Sequence, residues 1–156
     1  MNKTLALALG LLSTTVFAED KIQQASPEKA VEPKLTLTIY DTSNTVPRAI
    51  EGLKYSLKAK NLSLCWTAFD MPFIQSNKVI ELFHSPKASK FTDASASTVS
   101  SKDKKQHTIE NYLPSVNGQY IHRCWNFDKK DPLGKYSVEV QINNIKFPAL
   151  SFEVVK

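Results

Sequence analysis

The chain has few of the residues that mark specialised folds, with two cysteines and four glycines among 156 residues. So few cysteines exclude a cysteine-dense mini-scaffold, and so few glycines exclude a collagen-like or Gly/Ser-rich chain. Apolar residues make up 42% of the sequence, which excludes a wholly disordered chain. The length allows one domain and leaves little room for a multidomain enzyme.

Recognisable catalytic motifs are also missing. The sequence has no Gly-x-Ser-x-Gly nucleophile elbow, no His-Glu-x-x-His motif and no phosphate-cradling glycine loop. Its carboxylates are scattered, so no pair of them is constrained by spacing to act in acid–base catalysis. We therefore expect a protein that is not an enzyme and that holds no cofactor.

The N-terminal residues have the pattern of a secretory signal peptide. Lys3 gives a positive start, Leu5–Leu12 is apolar, and small residues precede the charged Glu19. The uncharged stretch 4–18 has 15 residues, fewer than the roughly 20 that a membrane-spanning helix needs, which argues against a membrane anchor. Residues 1–18 are predicted to be a cleaved signal, leaving a periplasmic or secreted protein with no transmembrane segment.

The rest of the chain divides into an arm and a domain. Residues 19–33 are polar and contain two prolines, which predicts a flexible arm. From residue 34 to 156, short segments alternate between apolar and polar residues, as in strands with one buried face. The pattern predicts an all-β fold, an antiparallel sandwich of about seven to eight strands, although 46–53 could form one helical turn. The strand candidates are 35–40, 54–58, 62–69, 78–83, 106–110, 121–127, 136–143 and 147–155.

One segment interrupts the alternation. Residues 85–101 are small and polar, and the basic residues 102–105 follow them. A long loop of this kind is either functional or mobile. Because it contains few groups suited to recognition, residues 85–105 are interpreted as a mobile loop.

The approach to the penultimate predicted strand resembles that of immunoglobulin-like domains. Asp131 and Gly134 precede Tyr136, as an Asp and a Gly precede the Tyr that closes the corner between the two sheets of those domains. The resemblance implies an immunoglobulin-like sandwich, with the segment after it as the last strand of a hairpin, and it implies no function. Val138 stands where antibody-type domains have a cysteine, so their inter-sheet disulfide is not expected here.

The two cysteines are predicted to form a disulfide, Cys65–Cys124, because paired cysteines are common in exported proteins. Alternation places each cysteine on the opposite face of its strand from the adjacent Trp66 or Trp125. The bridge is therefore expected to join two strands of one sheet, or a strand and a covering loop, rather than two sheets across the core.

A metal site or reactive thiol is the alternative use of the cysteines. His122 and Cys124 are two residues apart on one strand and therefore share a face, and Cys65 could join them. A further ligand would be needed, and neither His84 nor His107 has an evident spacing relationship to them. No Cys-x-x-Cys motif is present to indicate a thiol oxidoreductase.

The excess of 20 basic over 15 acidic residues would favour an anionic partner, although such runs also occur in solvated loops. Nucleic-acid binding is not expected, since no aromatic stripe interleaves with the basic residues. Four aromatic residues, Trp66, Phe69, Tyr120 and Trp125, could form a sugar-stacking platform, but alternation places both tryptophans in the core. The candidate contacts to an anionic partner are Lys102, Lys104, Lys105, Arg123, Lys129 and Lys130.

Three functional hypotheses follow. The first is an exported, non-enzymatic binding protein that recognises a protein or an envelope polymer, of the inhibitor, immunity, adhesin or assembly-factor type. The second is a metal-binding or enzymatic protein that uses His122 and Cys124. The third is a structural component of the envelope held in place by its basic loops.

Overall fold

The computed structural model describes residues 31–156, and this part of the chain contains eleven strands and no helix. The predicted signal peptide, residues 1–18, and nearly all of the predicted arm, 19–33, lie outside the described residues. The strands are β1 (Lys34–Asp41), β2 (Arg48–Ile50), β3 (Lys54–Ser56), β4 (Leu62–Phe69), β5 (Asn77–His84), β6 (Ser97–Ser100), β7 (Gln106–Leu113), β8 (Tyr120–Trp125), β9 (Gly134–Ile142), β10 (Ile145–Lys146) and β11 (Leu150–Val155).

The strands form two sheets that pack as a sandwich, which confirms the predicted all-β fold. The small sheet has the order β2-β1-β4-β8, and the large sheet has the order β3-β11-β9-β5-β7-β6, with β10 paired to β9. Every pairing is antiparallel except that of β3 with β11, which is parallel, so the large sheet is mixed rather than wholly antiparallel.

All eight predicted strands are present, and the predicted number was too low by three. The additional strands β2, β6 and β10 have only two to four residues each, too few for a period-2 pattern to be recognised. The helical turn considered for 46–53 is wrong, because this segment contains β2, which pairs with the end of β1.

The core lies between the inner faces of the two sheets, as the alternation requires. On the cleanest strand, β9, each even-numbered residue from Tyr136 to Ile142 is buried while the odd-numbered residues face outward. The inner face of the small sheet contributes residues from β1, β4 and β8 against this layer. The largest fully buried apolar side chains are Trp66, Phe83, Ile39, Leu64, Ile109, Ile121 and Ile142.

The disulfide Cys65–Cys124 joins two neighbouring strands of the small sheet, and this confirms the predicted bond and its placement. The two cysteines are direct cross-strand partners on β4 and β8, with their Cα atoms 4.0 Å apart. So short a separation is typical of a non-hydrogen-bonded antiparallel pair. The adjacent Trp66 is 1% exposed and Trp125 is partly buried against the core. In the chain-entropy model a loop of this length contributes about 4 kcal/mol.

The segment 85–105 is attached to the sandwich rather than being a long free loop. It contains β6, which pairs with β7, and it places the Phe91 ring in the core, where it stacks on Phe83 with 4.5 Å between centroids. The interpretation as a mobile loop rested on the few groups suited to recognition in this segment, but one buried phenylalanine and one added strand give the segment defined contacts.

Candidate functional site

The outer face of the small sheet contains an open depression of about 370 Å³. Strands β1, β4 and β8 provide its floor, and the chain that follows β1 provides one wall. Alternation explains which side chains line it, because the residues that face outward on β4 are those between the core residues Leu62, Leu64, Trp66 and Ala68. The lining residues are Tyr40, Thr42, Pro47, Ser63, Cys65, Thr67, Phe69, Tyr120, His122 and Cys124.

Cross-strand pairing sets the order of these side chains along the depression. Tyr40 lies opposite Ser63 at one end, and Phe69 lies opposite Tyr120 at the other. The Phe69 and Tyr120 rings are tilted at 46° with 6.1 Å between centroids, and the Tyr120 ring is 5.8 Å from that of His122. The depression therefore has aromatic rings at both ends, with the disulfide between them.

The disulfide removes the thiolate ligand on which the metal hypothesis depended. The Sγ atom of Cys124 is bonded to that of Cys65, while His122 lies beside them on the same outer face. Within residues 31–156, no three His, Cys, Asp or Glu side chains are grouped so that they could hold a metal ion. His122 and Cys124 are brought together as the spacing predicted, but with the sulfur engaged in the disulfide.

The predicted anionic-partner contacts come from two loops and one strand. Lys102, Lys104 and Lys105 lie in the turn between β6 and β7, and Lys129 and Lys130 lie between β8 and β9; all five are exposed. The expectation for Arg123 is corrected, because its side chain is 7% exposed and points between the sheets. On β8, Arg123 shares the buried face with Ile121.

Arg123 takes part in a buried polar cluster directly beneath the depression. Its Nε atom is 3.1 Å from Oε2 of Glu81, which is fully buried on β5, and its terminal nitrogen donates to Asp93 at 2.8 Å. The indole N–H groups of Trp66 and Trp125 both donate to Oε1 of Glu81, at 2.6 and 2.8 Å. The guanidinium also lies 4.6 Å from the centre of the Trp125 ring, a cation–π contact.

The cluster gives the indole N–H groups of Trp66 and Trp125 a hydrogen-bond acceptor inside the core. Two indole N–H donors enter the core because β4 and β8 turn their tryptophans inward, and a buried donor needs an acceptor. Burial raises the pKa of the Glu81 carboxyl. The Arg123 charge and the two indole hydrogen bonds lower it, but their combined effect is smaller than that of burial. Hydrogen bonds from Ser95 lower the pKa of the Asp93 carboxyl, and the positive charge of Arg123 lowers it further.

Glu81 and Asp93 are important residues that the sequence analysis did not identify. Glu81 stands between Val79 and Phe83 on the inward face of β5, so the alternation itself marks an acid that must be buried. Its three partners lie on other strands, and only the fold brings them within reach. Asp93 belongs to the segment that was interpreted as a mobile loop.

A serine–histidine cluster lies at the opposite edge of the large sheet. His107 is buried on β7; its Nδ1 atom is 2.8 Å from the Ser100 hydroxyl, and its Nε2 atom is 2.9 Å from the Ser89 hydroxyl. Nε2 is also 3.0 Å from the backbone carbonyl oxygen of Lys104.

The carbonyl contact determines what this cluster can do. A carbonyl oxygen only accepts hydrogen bonds, so Nε2 carries the proton and cannot take one from Ser89. Nδ1 then accepts from Ser100. The arrangement therefore lacks the base that a nucleophilic serine requires, and it serves to hold residues 85–105 against β7.

The geometry defines the protein as a two-sheet β-sandwich with one cross-strand disulfide and an open aromatic depression beside it. The family model described as PM0630 beta sandwich domain matches residues 35–155, and the chain belongs to this family. A relative in Pasteurella multocida (strain Pm70), "Uncharacterized protein PM0630", is 31% identical over 160 residues, and the alignment covers 100% of both chains.

Two solved structures resemble the fold distantly. The alkylpurine DNA glycosylase AlkC of Pseudomonas fluorescens, bound to DNA containing an abasic site analogue, aligns with 81% of this chain at 16% identity and a TM-score of 0.40. A β-glucosidase of Listeria innocua in complex with glucose aligns with 81% at 12% identity and a TM-score of 0.39. This chain spans only 31% and 16% of those two chains, and likeness of this degree says nothing about function.

Glu81→Gln should lower the free energy of unfolding by about 3 kcal/mol or more, because it leaves the buried Arg123 without its main charge partner. Urea denaturation followed by circular dichroism measures this loss. The matched control is Glu110→Gln, which breaks the exposed Lys78–Glu110 ion pair (3.0 Å) and should cost far less. Equal losses for the two variants would contradict the assigned role of Glu81.

The stability of the protein should depend on His107 as the pH changes. Burial lowers the pKa of His107 below its ordinary value of 6.5, so the unfolded chain takes up the proton first. The stabilisation by His107 is full above pH 6.5 and is lost as the pH falls toward the folded-state pKa.

Glu81 acts in the opposite sense, since its raised pKa makes the free energy of unfolding fall as the pH rises above 4.5.

The comparison that isolates His107 is the free energy of unfolding of wild type and His107→Gln between pH 7.5 and 5. The difference between the two proteins should shrink as the pH falls, because only the wild type loses stability by protonation at residue 107. His122→Gln, at an exposed position, is the control and should decline in parallel with the wild type. A constant difference between wild type and His107→Gln would refute the buried neutral imidazole.

Proposed function

We propose that this protein is an exported, non-enzymatic binding protein that recognises a protein or an envelope polymer through the outer face of its small sheet. The observation that carries the proposal is the open depression on β1, β4 and β8, with Tyr40 at one end and Phe69 and Tyr120 at the other. Half-buried aromatic side chains on a concave surface are typical of recognition sites.

The chemistry of the lining favours binding over catalysis. Its polar side-chain groups are the hydroxyls of Tyr40, Thr42, Ser63, Thr67 and Tyr120 and the imidazole of His122, and no carboxylate, lysine or arginine belongs to it. A hydrolytic or acid–base site needs a nucleophile and a base held in contact, with a group to stabilise developing charge. A rigid floor with hydrogen-bonding groups suits recognition instead.

Export is supported by two features at different places in the chain. The first 18 residues have the pattern of a signal peptide, and Cys65 and Cys124 form a disulfide. Disulfides persist in oxidising compartments such as the periplasm and the exterior. The described residues contain no helix that is long and apolar enough to cross a membrane.

We further propose that the sandwich is immunoglobulin-like at the corner before β9. The Tyr136 hydroxyl donates to the backbone carbonyl of Pro132 at 2.7 Å, the kind of bond that closes the corresponding corner in immunoglobulin-like domains. The cysteines serve a different purpose from the antibody bridge, because Cys65–Cys124 joins two strands of one sheet.

A photo-crosslinking experiment tests the proposed binding face. A benzophenone side chain is introduced in place of Tyr120 on the outer face of the small sheet, and in a second protein in place of Tyr112, which is 58% exposed on β7 of the large sheet. After irradiation in an extract of the cell envelope, a defined crosslinked species is expected from the Tyr120 position alone. The crosslink should persist at a few hundred millimolar salt, which screens unspecific attraction to the exposed lysines.

Equal crosslinking from both positions, or none from Tyr120, would overturn the proposed face. A signal that disappears with salt would instead favour a structural envelope component held by its basic loops, which was the third hypothesis from the sequence.

A further inference from the structure

We propose that the depression on the small sheet binds an uncharged carbohydrate chain. This inference rests on the proposed function, because it names the class of ligand for that same face. It differs from the sugar platform considered from the sequence, since both tryptophans point into the core and the rings available on the outside are Tyr40, Phe69 and Tyr120.

Charge complementarity is the first argument. The protein as a whole carries a formal charge of +5, yet the lining of the depression contains no lysine, arginine, aspartate or glutamate. Charged residues border the lining: Lys34, directly opposite Phe69, pairs with Asp70 at 3.6 Å, and Asp41 and Arg48 pair across β1 and β2 next to Tyr40 and Pro47. A surface that is neutral in an otherwise basic protein suits a ligand without charge.

The outer face of the large sheet provides the contrast within the same molecule. It carries the ion pair Lys78–Glu110 at 3.0 Å and the His84–Glu139 contact at 3.9 Å. Both faces are open sheet surfaces built by the same alternation, so the absence of lysine, arginine, aspartate and glutamate from the lining of the depression is a property of its residues and not of the fold.

The aromatic rings supply the second argument. Sugar rings present apolar C–H faces with hydroxyl groups at their edges, so they stack on aromatic side chains and accept or donate hydrogen bonds at the rim. Phe69 and Tyr120 form a tilted pair at one end of the depression, and Tyr40 lies at the other end. Between them, Thr67 and His122 face each other across β4 and β8 as hydrogen-bonding groups.

The shape of the depression supports a chain rather than a single sugar. The lining of β4 runs from Ser63 to Phe69, which is roughly 20 Å at about 3.4 Å per residue. The volume of about 370 Å³ falls within the range of small-molecule sites, roughly 300 to 1,000 Å³, while the face remains open to solvent. A polymer segment can therefore lie along the depression and continue beyond it at either end.

The sheet holds this surface in place before any ligand arrives. Paired strands fix the lateral spacing of the rings, and the disulfide Cys65–Cys124 ties β4 to β8 in the middle of the floor. Such preorganisation reduces the entropy that binding must overcome. It also predicts that the backbone of the small sheet changes little when a ligand binds.

The test is a titration of the isotopically labelled, oxidised protein, observed by NMR, with neutral tetrasaccharides: cellotetraose, maltotetraose and chitotetraose. A sulfated heparin tetrasaccharide is the anionic comparison. At least one neutral probe is expected to bind, with the largest amide shifts on β4 and β8, and with an affinity that does not change as salt is raised. Tyr120→Ser should weaken this binding at least about tenfold, a free-energy change of about 1.4 kcal/mol.

Tyr112→Ser on the large sheet is the matched control and should bind as the wild type does. Thr67→Val, which removes one hydroxyl with little change of shape, provides a second variant in case Tyr120→Ser disturbs the fold, and it should weaken binding several-fold. Tighter binding of the sulfated probe, shifts confined to other surfaces, or equal loss in the Tyr112 variant would overturn the proposal.

The outcome also separates this inference from the proposed function. If no neutral probe binds while the Tyr120 position still crosslinks to a protein, the carbohydrate is wrong and the binding face stands. If neither occurs, both proposals fall.

Discussion

The register between β4 and β8 is the constraint on which the rest of the molecule depends. It sets Cys65 opposite Cys124 and so turns both sulfurs to the outside and both neighbouring tryptophans to the inside. A shift of one residue on either strand would exchange the two faces completely, since side chains alternate with period two. The disulfide opposes that shift, because a slip of one residue would place the two sulfurs on opposite faces of the sheet.

Each face then acquires its own chemistry. On the inside, two indole N–H groups require an acceptor; Glu81 supplies it, and the resulting buried carboxyl is held beside Arg123. Asp93 extends the cluster into the segment after β5, which is one reason why this segment has defined contacts. On the outside, the same strands present hydroxyls, aromatic rings and the disulfide, of which Cys124 is exposed and Cys65 is buried. The proposed recognition surface thus rests on a core that fixes the positions of its strands.

Sequence patterns predicted the parts of this account that depend on one strand at a time. Period-2 alternation identified eight strands, and it placed the sulfurs of Cys65 and Cys124 on the face opposite the tryptophans. It failed where the outcome depends on neighbours from elsewhere in the chain. Arg123 was interpreted as an exposed residue because its buried partner Glu81 is on another sheet. The depression is formed by β1, β4 and β8 lying side by side, and the order of strands in a sheet cannot be read from a local sequence pattern.

Amide hydrogen exchange on the oxidised protein tests the register most directly. Because the cysteine pair is non-hydrogen-bonded, the amides of Arg123 and Trp125 face β4, whereas those of His122 and Cys124 face the free edge of the sheet. The amides of Arg123 and Trp125 should therefore exchange slowly, and those of His122 and Cys124 should exchange fast. Protected amides at His122 and Cys124, with fast exchange at Arg123 and Trp125, would contradict it.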